Sequence, residues 1–377
     1  MASEAWREAW RSHLSASMSK DRLVLVLALV SLVFFVFVTW IIPESRATAD
    51  SDLAMAARTM ERGVEAIGLC AENANVVIDP RADPNRTGLI GLETSEITTS
   101  LGQLEAKRTT INPNFAGLIA KLLKNAGVGR GDAVAIGASS SFPALILASL
   151  SAVRTLGAKP VMISSLGASN WGANNPDFTW LEMLECLRRA GVFDVKPIAL
   201  ALGGEKDDGS DMSESGRILL REKIKASGIF FLEEPDLSEN VRIRMGLYEE
   251  HAAPGKIKAF VNIGGSWANM GTDSSVLKLE PGRAEVKEIP RPEKRGVIQE
   301  MAARGIPVIH LLFVKGLAER YSLPWDPVPL PRPGEGSIFA KAGKAKTGFL
   351  FAAGAYLAIC AGLFVSLGLR NRRSLFF

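Results

Sequence analysis

The chain has 377 residues, with 44 Lys and Arg against 40 Asp and Glu and a formal charge of +4. No run of five or more Lys/Arg occurs, so the strongly basic face of a nucleic-acid binder is excluded. The length allows one large domain or two modest ones, and apolar residues make up 47% of the chain.

In chain order, the first feature is the uncharged run Leu23–Ile42, matched near the other end by Gly348–Leu369. Each run is long enough to cross a hydrocarbon core of about 30 Å as a helix, which predicts two terminal transmembrane anchors. A cleaved signal peptide competes for the first run, because "ATA" at Ala47–Ala49 resembles a cleavage site. The run nevertheless exceeds an h-region of about 7–15 residues. Arg7, Arg11, Lys20 and Arg22 precede the first run and only Arg46 closely follows it, which predicts a cytoplasmic N-terminus. Arg370, Arg372 and Arg373 then suit a cytoplasmic C-terminus, although Lys341, Lys344 and Lys346 weaken that half of the argument. The expected organisation is a cytoplasmic segment 1–22, a span 23–42, an extracytoplasmic α/β domain 43–323, a Pro-rich tether 324–346, a span 347–369 and a cytoplasmic tail 370–377. The expected location is the cytoplasmic membrane.

After the first run, "DSDLAMAARTMERGVEAIGLCAE" has Leu53, Ala56, Met60, Val64 and Ile67 at helical spacing. It reads as a packing helix. Cys70 and Cys186 can pair in an oxidising compartment, but two cysteines alone do not establish a bridge, and the unpaired, buried state is the expectation. With no CxxC or HExxH spacing and three scattered histidines, no metal site is expected. Residues 86–112 form a polar passage with many hydroxyls and charges, read either as a cover or grip over a ligand site or as a solvated surface hairpin. Asn114–Ala126 follows as a helix.

From Asp132 onward the pattern alternates. Strand-like runs are Ala133–Ile136, Pro160–Ile163, Pro197–Leu202, Ile229–Leu232, Ala259–Ile263 and Pro307–Phe313. Helix-like runs are Phe142–Leu156, Thr179–Ala190, Glu214–Ala226 and Gly296–Arg304. The alternation predicts an α/β fold, a mostly parallel sheet with flanking helices. Asp207–Glu250 is a candidate small insertion. "YSLPWDPVPLPRPGEGS" reads as a stiff tether.

Ligands of open parallel sheets bind beyond the carboxyl ends of the strands. Those ends carry "GASSSF", "SSLGASNWGANNPD", "LGGEKDDGSDMS" and "IGGSWANMGTD". Small residues let a ligand approach the backbone, and exposed N–H groups at helix starts favour anions. Gly137, Ser140, Ser164, Ser165, Asn170, Trp171, Asn174, Gly264, Gly265, Ser266 and Asn269 are therefore candidate ligand contacts, with Arg86, Glu93, Lys107 and Arg108 from the polar passage. "GASSS" is also close to a G-x-S-x-G nucleophile elbow, with Ser141 in place of the last Gly. That alternative makes Ser139 or Ser141 a nucleophile and His310 its base. Asp207, Asp208 and Asp273 read as solvated loop charges. There is no P-loop, and "GVGRGD" at Gly127–Asp132 precedes a strand, the wrong side for a dinucleotide fingerprint. No cofactor is expected.

The passages "GLIGLETSEITTSLGQLEAKRTTINPNFAGLIAKLL", "GDAVAIGASSSFPALILASLSAVRTLGAKPVMISSLGASNWGANNPDFTWLEML" and "VNIGGSWANMG" resemble the poly-γ-glutamate system protein family. The resemblance implies a role in synthesis and export of poly-γ-glutamate, an extracellular capsule polymer. It implies no established catalytic residues. On it, the expectation is an accessory protein that binds the polymer or a glutamate-containing ligand beside other membrane subunits of a capsule machine. The alternatives are a serine-type amide hydrolase or transferase and a purely structural assembly subunit.

Overall fold

A computed structural model of the chain describes residues 20–36, 51–252, 256–339 and 350–362. The chain divides into two units, Ala49–Phe339 and the terminal segments Met1–Thr48 with Ala340–Phe377.

In the terminal unit, helix α1 (Lys20–Val36) has 17 residues, about 25 Å of rise against the ~30 Å of a bilayer core. The helix over residues 350–362 is shorter still. Among the described residues no helix is long and apolar enough to cross a membrane. This overturns the two expected spans, and with them the membrane location and the extracytoplasmic placement derived from them. Residues 37–42, 347–349 and 363–369 of those spans, and the expected terminal segments 1–19 and 370–377, lie outside the described residues. The two helices meet through Ser31 and Tyr356, whose hydroxyls are 2.8 Å apart, and through the stacked rings of Phe34 and Tyr356.

The larger unit has the expected α/β architecture. Its helices are α2 (Ser51–Asn73), α3 (Leu104–Thr110), α4 (Asn114–Asn125), α5 (Pro143–Thr155), α6 (Trp180–Arg189), α7 (Glu214–Ser227), α8 (Leu237–Ala252), α9 (Trp267–Met270), α10 (Val297–Ala303) and α11 (Val314–Tyr321). Seven strands, β1 (Ala133–Ser139), β2 (Lys159–Ser165), β3 (Ala199–Ala201), β4 (Phe230–Phe231), β5 (Ile257–Ile263), β6 (Gly282–Ala284) and β7 (Val308–His310), form one sheet. The order is β4-β3-β2-β1-β5-β7-β6, and only β6 runs antiparallel to its neighbour.

Successive strand residues point to opposite faces, and the two largest of the three core clusters divide accordingly. Val134, Ile136, Met162 and Val261 pack with α2, α4, α5 and α6 on the first face. Ala133, Ala135, Val161 and Phe260 pack on the second face with Met245 and Tyr248 of α8 and Val297 and Met301 of α10. Thr179 and Glu182 form a capping box that starts α6, and Gly228 at φ 67° ends α7. Asp207–Glu250 is no insertion, because β4 extends the sheet and α8 covers its second face.

Two other expectations change. Cys70 on α2 and Cys186 on α6 are joined in a disulfide. Residues 324–339 pack onto the domain instead of leading away from it. Asp326 pairs with Arg108, Asn114 accepts from the Gly334 N–H, and Ile338 and Phe339 are buried.

The order of the sheet sets where its loops part. The chain steps outward from β1 to β4, then returns to add β5 on the other side of β1. Loops leaving β1 and β5 therefore diverge, and the crevice between them is where such folds bind ligands.

Candidate functional site

Strand β1 continues to Ser139, so Gly137 and Ser139 belong to the strand and the loop is shorter than the sequence suggested. Pairing on both sides, with β2 and with β5, carries the extension. Two glycines bring the switch-point elements together. A Cβ on Gly137 would lie 2.5 Å from Asn269 Nδ2, and one on Gly264 would lie 2.4 Å from Ser139 Cβ. Gly264 also sits at φ +98°, open to glycine and strained for other residues.

On one side of β1 the predicted residues form a clamp. The polar passage lies along the β2 loop as a strap, with Trp171 N–H donating to Leu92 O and Thr99 N–H to Ala168 O. Asn174 fastens it as a backbone mimic, accepting from Leu92 N–H at 2.8 Å and donating to Leu92 O at 2.8 Å and Thr98 Oγ1 at 2.9 Å. Asn170 accepts from Gly102 N–H and donates to Glu93 O. Ser140 Oγ donates to Ser165 O, and Ser141 Oγ accepts from Ser169 N–H. Lys107 is buried beneath these loops. Its Nζ donates to Ser141 O and to Ser169 Oγ at 2.7 Å, and lies 3.7 Å from the centre of the Phe142 ring. Among the described residues no carboxylate pairs with it, and burial pulls its pKa down to about 7. The passage is thus a structural cover, tied down atom by atom.

The second face of the sheet, at the switch point, is different. By register, His310 lies opposite Asn262 and Asn262 opposite Gly137. Asn262 Nδ2 donates to Gly264 O at 2.9 Å and is 3.0 Å from His310 Nδ1, while its Oδ1 is buried without a partner. Asn269 Oδ1, over Gly137, is likewise buried and unpartnered. Burial lowers the His310 pKa to about 4, so the ring is neutral at pH 7.

Beside them is a buried ion pair that sequence reasoning missed. Arg244 of α8 pairs with Asp207, the two side chains being 4% and 1% exposed. Asp207 was read as a solvated loop charge, because an acid in "GGEKDDGS" carries no local sign of burial. It sits at φ +67° with its side chain turned inward. Arg244 Nε donates to Asn240 Oδ1 at 2.8 Å, and Tyr248 hydroxyl, one turn on, donates to Ile136 O. Asp207 Oδ1 has no partner. Burial pushes the Asp207 carboxyl upward, against the pull of Arg244. The loop carrying Asp207 is held to the β5 loop, since Trp267 N–H donates to Glu205 O at 2.8 Å and Trp267 Nε1 to Glu205 Oε1 at 3.1 Å.

Other predicted residues lie apart. His310 is two strands away from Ser139 and two residues below it in register, so the serine and histidine of the hydrolase alternative are not brought together. Ser139 Oγ instead accepts from Ser141 N–H. Ser165 faces the switch-point side, while Ser164 Oγ, buried and unpartnered, faces the first core. Gly265 is exposed and Ser266 precedes α9. Arg86 pairs with Glu72 and Arg108 with Asp326, both outside the site. Asp208 and Asp273 accept from nearby backbone N–H groups. Among the described residues no group of three His, Cys, Asp or Glu is placed to hold a metal ion. Cavities of about 890, 660 and 470 Å³ lie elsewhere, the largest beside β6 and residues 275–288.

No family model, curated protein or solved structure matches the chain, and no relative lends support to the poly-γ-glutamate or capsule expectation.

Proposed function

We propose that residues 51–339 form a ligand-binding domain whose site is the β1/β5 switch point, and that its ligand bears carboxylate and amide groups, as a γ-glutamyl chain does. One observation carries the reading. Asn262 Oδ1 and Asn269 Oδ1 are buried acceptors without donors, at the strand-order reversal where the loops of β1 and β5 diverge. Leaving a buried acceptor unmade costs about 1–3 kcal/mol, so donors from a bound ligand are a strong source of affinity. Amide N–H groups of a γ-linked chain are such donors. The γ-glutamyl identity itself rests on the sequence resemblance alone.

The test is calorimetric titration of the full chain with γ-glutamyl oligomers of defined length, alongside Asn269→Ala. Saturable binding weakened at least tenfold by the substitution supports the reading, and no saturable binding by the folded protein overturns it. A ninhydrin assay on the same mixtures reports any cleavage. New amines would replace a binding role with a hydrolytic one.

A further inference from the structure

A buried ion pair contributes little to stability, because desolvation offsets most of the attraction between its charges. Asp207 and Arg244 nevertheless face each other, sealed from water and part-satisfied, and they are tied to the switch-point strands, the Asp207 loop by Trp267 N–H and α8 by the Tyr248 hydroxyl on Ile136 O of β1. Arg244 is oriented by Asn240, while one oxygen of Asp207 is left open. The same end of the sheet also holds the open acceptors Asn262 Oδ1 and Asn269 Oδ1. Asn269 belongs to that neighbourhood through α9, whose first residue, Trp267, is hydrogen-bonded to Glu205, two residues from Asp207. The set therefore contains one fixed guanidinium and three acceptor oxygens lacking donors. A guanidinium matches a carboxylate in bidentate geometry, and an ammonium carries three N–H donors and no acceptor.

Resting on the binding role proposed above, we infer that the switch point recognises the zwitterionic end of an α-amino acid. Arg244 takes its α-carboxylate, and Asp207, with the two asparagine oxygens, takes its α-ammonium. The Asp207–Arg244 pair is then the receptor closed on itself, each charge standing in for the ligand group of the same sign. The raised carboxyl of Asp207 fits a group whose counter-charge is incomplete. Access runs past the Asp207 loop, whose Gly203, Gly204 and Gly209 all have positive φ and whose hold on β5 includes the exposed Glu205–Trp267 side-chain contact. Two sources can supply this chemistry: a free amino acid, or the amino-terminal residue of a γ-linked chain, which keeps both its α-groups.

The decisive experiment varies the ligand, so that it does not depend on a core variant folding. The full chain is titrated with L-glutamate, γ-glutamylglutamate, N-acetyl-γ-glutamylglutamate and glutarate. Tight binding of a compound with both α-groups free, lowered thirtyfold or more by acetylation and absent for glutarate, supports the inference. Whether glutamate or the dipeptide wins identifies the source. Equal binding of free and acetylated dipeptides overturns the inference and leaves the binding role standing. Binding of glutamate without any oligomer keeps the inference and overturns the γ-glutamyl chain reading. If nothing binds, both fall. On the protein side, Asp207→Asn, checked for an unchanged circular dichroism spectrum, is expected to abolish the preference for the unacetylated ligand. If it unfolds, Asn269→Ala is read for the same loss, and a preference unchanged in the folded variant overturns the assignment.

Discussion

The strap beside β1 and the polar cluster at the switch point are both built from buried polar side chains, yet they handle their hydrogen bonds in opposite ways. Asn174 uses its donor and acceptor ends on fixed partners, and Lys107 finds two oxygens and a ring face. Asn262, Asn269 and Asp207 each leave an oxygen open. The first arrangement fixes loops; the second leaves bonding capacity for something else. Burial alone does not separate the two. Satisfaction does.

The contrast can be broken or sharpened by substitution. The largest expected effect comes from Arg244→Met, which strands Asp207 as an unpaired buried charge and should cost about 3–5 kcal/mol in urea unfolding. Replacing Cys70 and Cys186 together by Ala frees the α2–α6 bridge, which closes a loop with a sequence separation of 116. The expected loss is about 2–4 kcal/mol, with ligand affinity unchanged. Asn174→Ala unties the strap by leaving Leu92 N–H without its acceptor and Leu92 O with Trp171 N–H alone, and should cost about 1–3 kcal/mol while leaving affinity within threefold.

Lys107 adds a pH signature. Its folded pKa of about 7 lies below the ordinary 10.5, so between those values the unfolded chain binds the extra proton. Stability therefore rises from pH 7 to pH 10.5, by at most about 1.4 kcal/mol per pH unit, and the burial penalty is complete below pH 7. Lys107→Met should flatten that rise, as thermal unfolding at stepped pH would show. The smallest change in stability belongs to Asn269→Ala, within about 1 kcal/mol, since its Oδ1 has no bond to lose. Its affinity should nevertheless fall tenfold or more. A stability loss matching that of Asn174→Ala, with binding intact, would erase the distinction between the two regions.

Much of the larger unit is legible in its residues. The apolar runs at Ala133–Ile136 and Ala259–Ile263 mark central strands because both faces of each are covered. β6 escaped notice because "GRA" is short and sits at an edge. α8 is hidden because "LSENVRIRMGLYEEHA" interrupts its apolar positions with Asn240 and Arg244; Asn240 buries by bonding Glu234 O and Arg244, and Arg244 by reaching Asp207 across space. The candidate site divides on the same ground. Glycine- and serine-rich loops announced Gly137, Gly264 and Asn269, whose roles follow from small size and close approach. Asp207 and Arg244 lie 37 positions apart, and only the fold brings them together. Apolar runs with basic flanks do not make the terminal anchors, since the described part of each helix falls short of a span.

The packing of residues 324–339 has one more consequence. At the beginning of the unit, Asp52 pairs with Lys124, and at its end Ile338 O accepts from Lys121, one turn earlier on the same helix. Leu53 and Phe339 both approach Gly117, on the turn before that. Between Asp52 and Phe339 the polypeptide thus returns to where this unit begins, and the unit is topologically close to a ring. Residues 51–339 with positions 51 and 339 joined by a short linker and opened instead at a surface loop should keep the sheet order and the switch point.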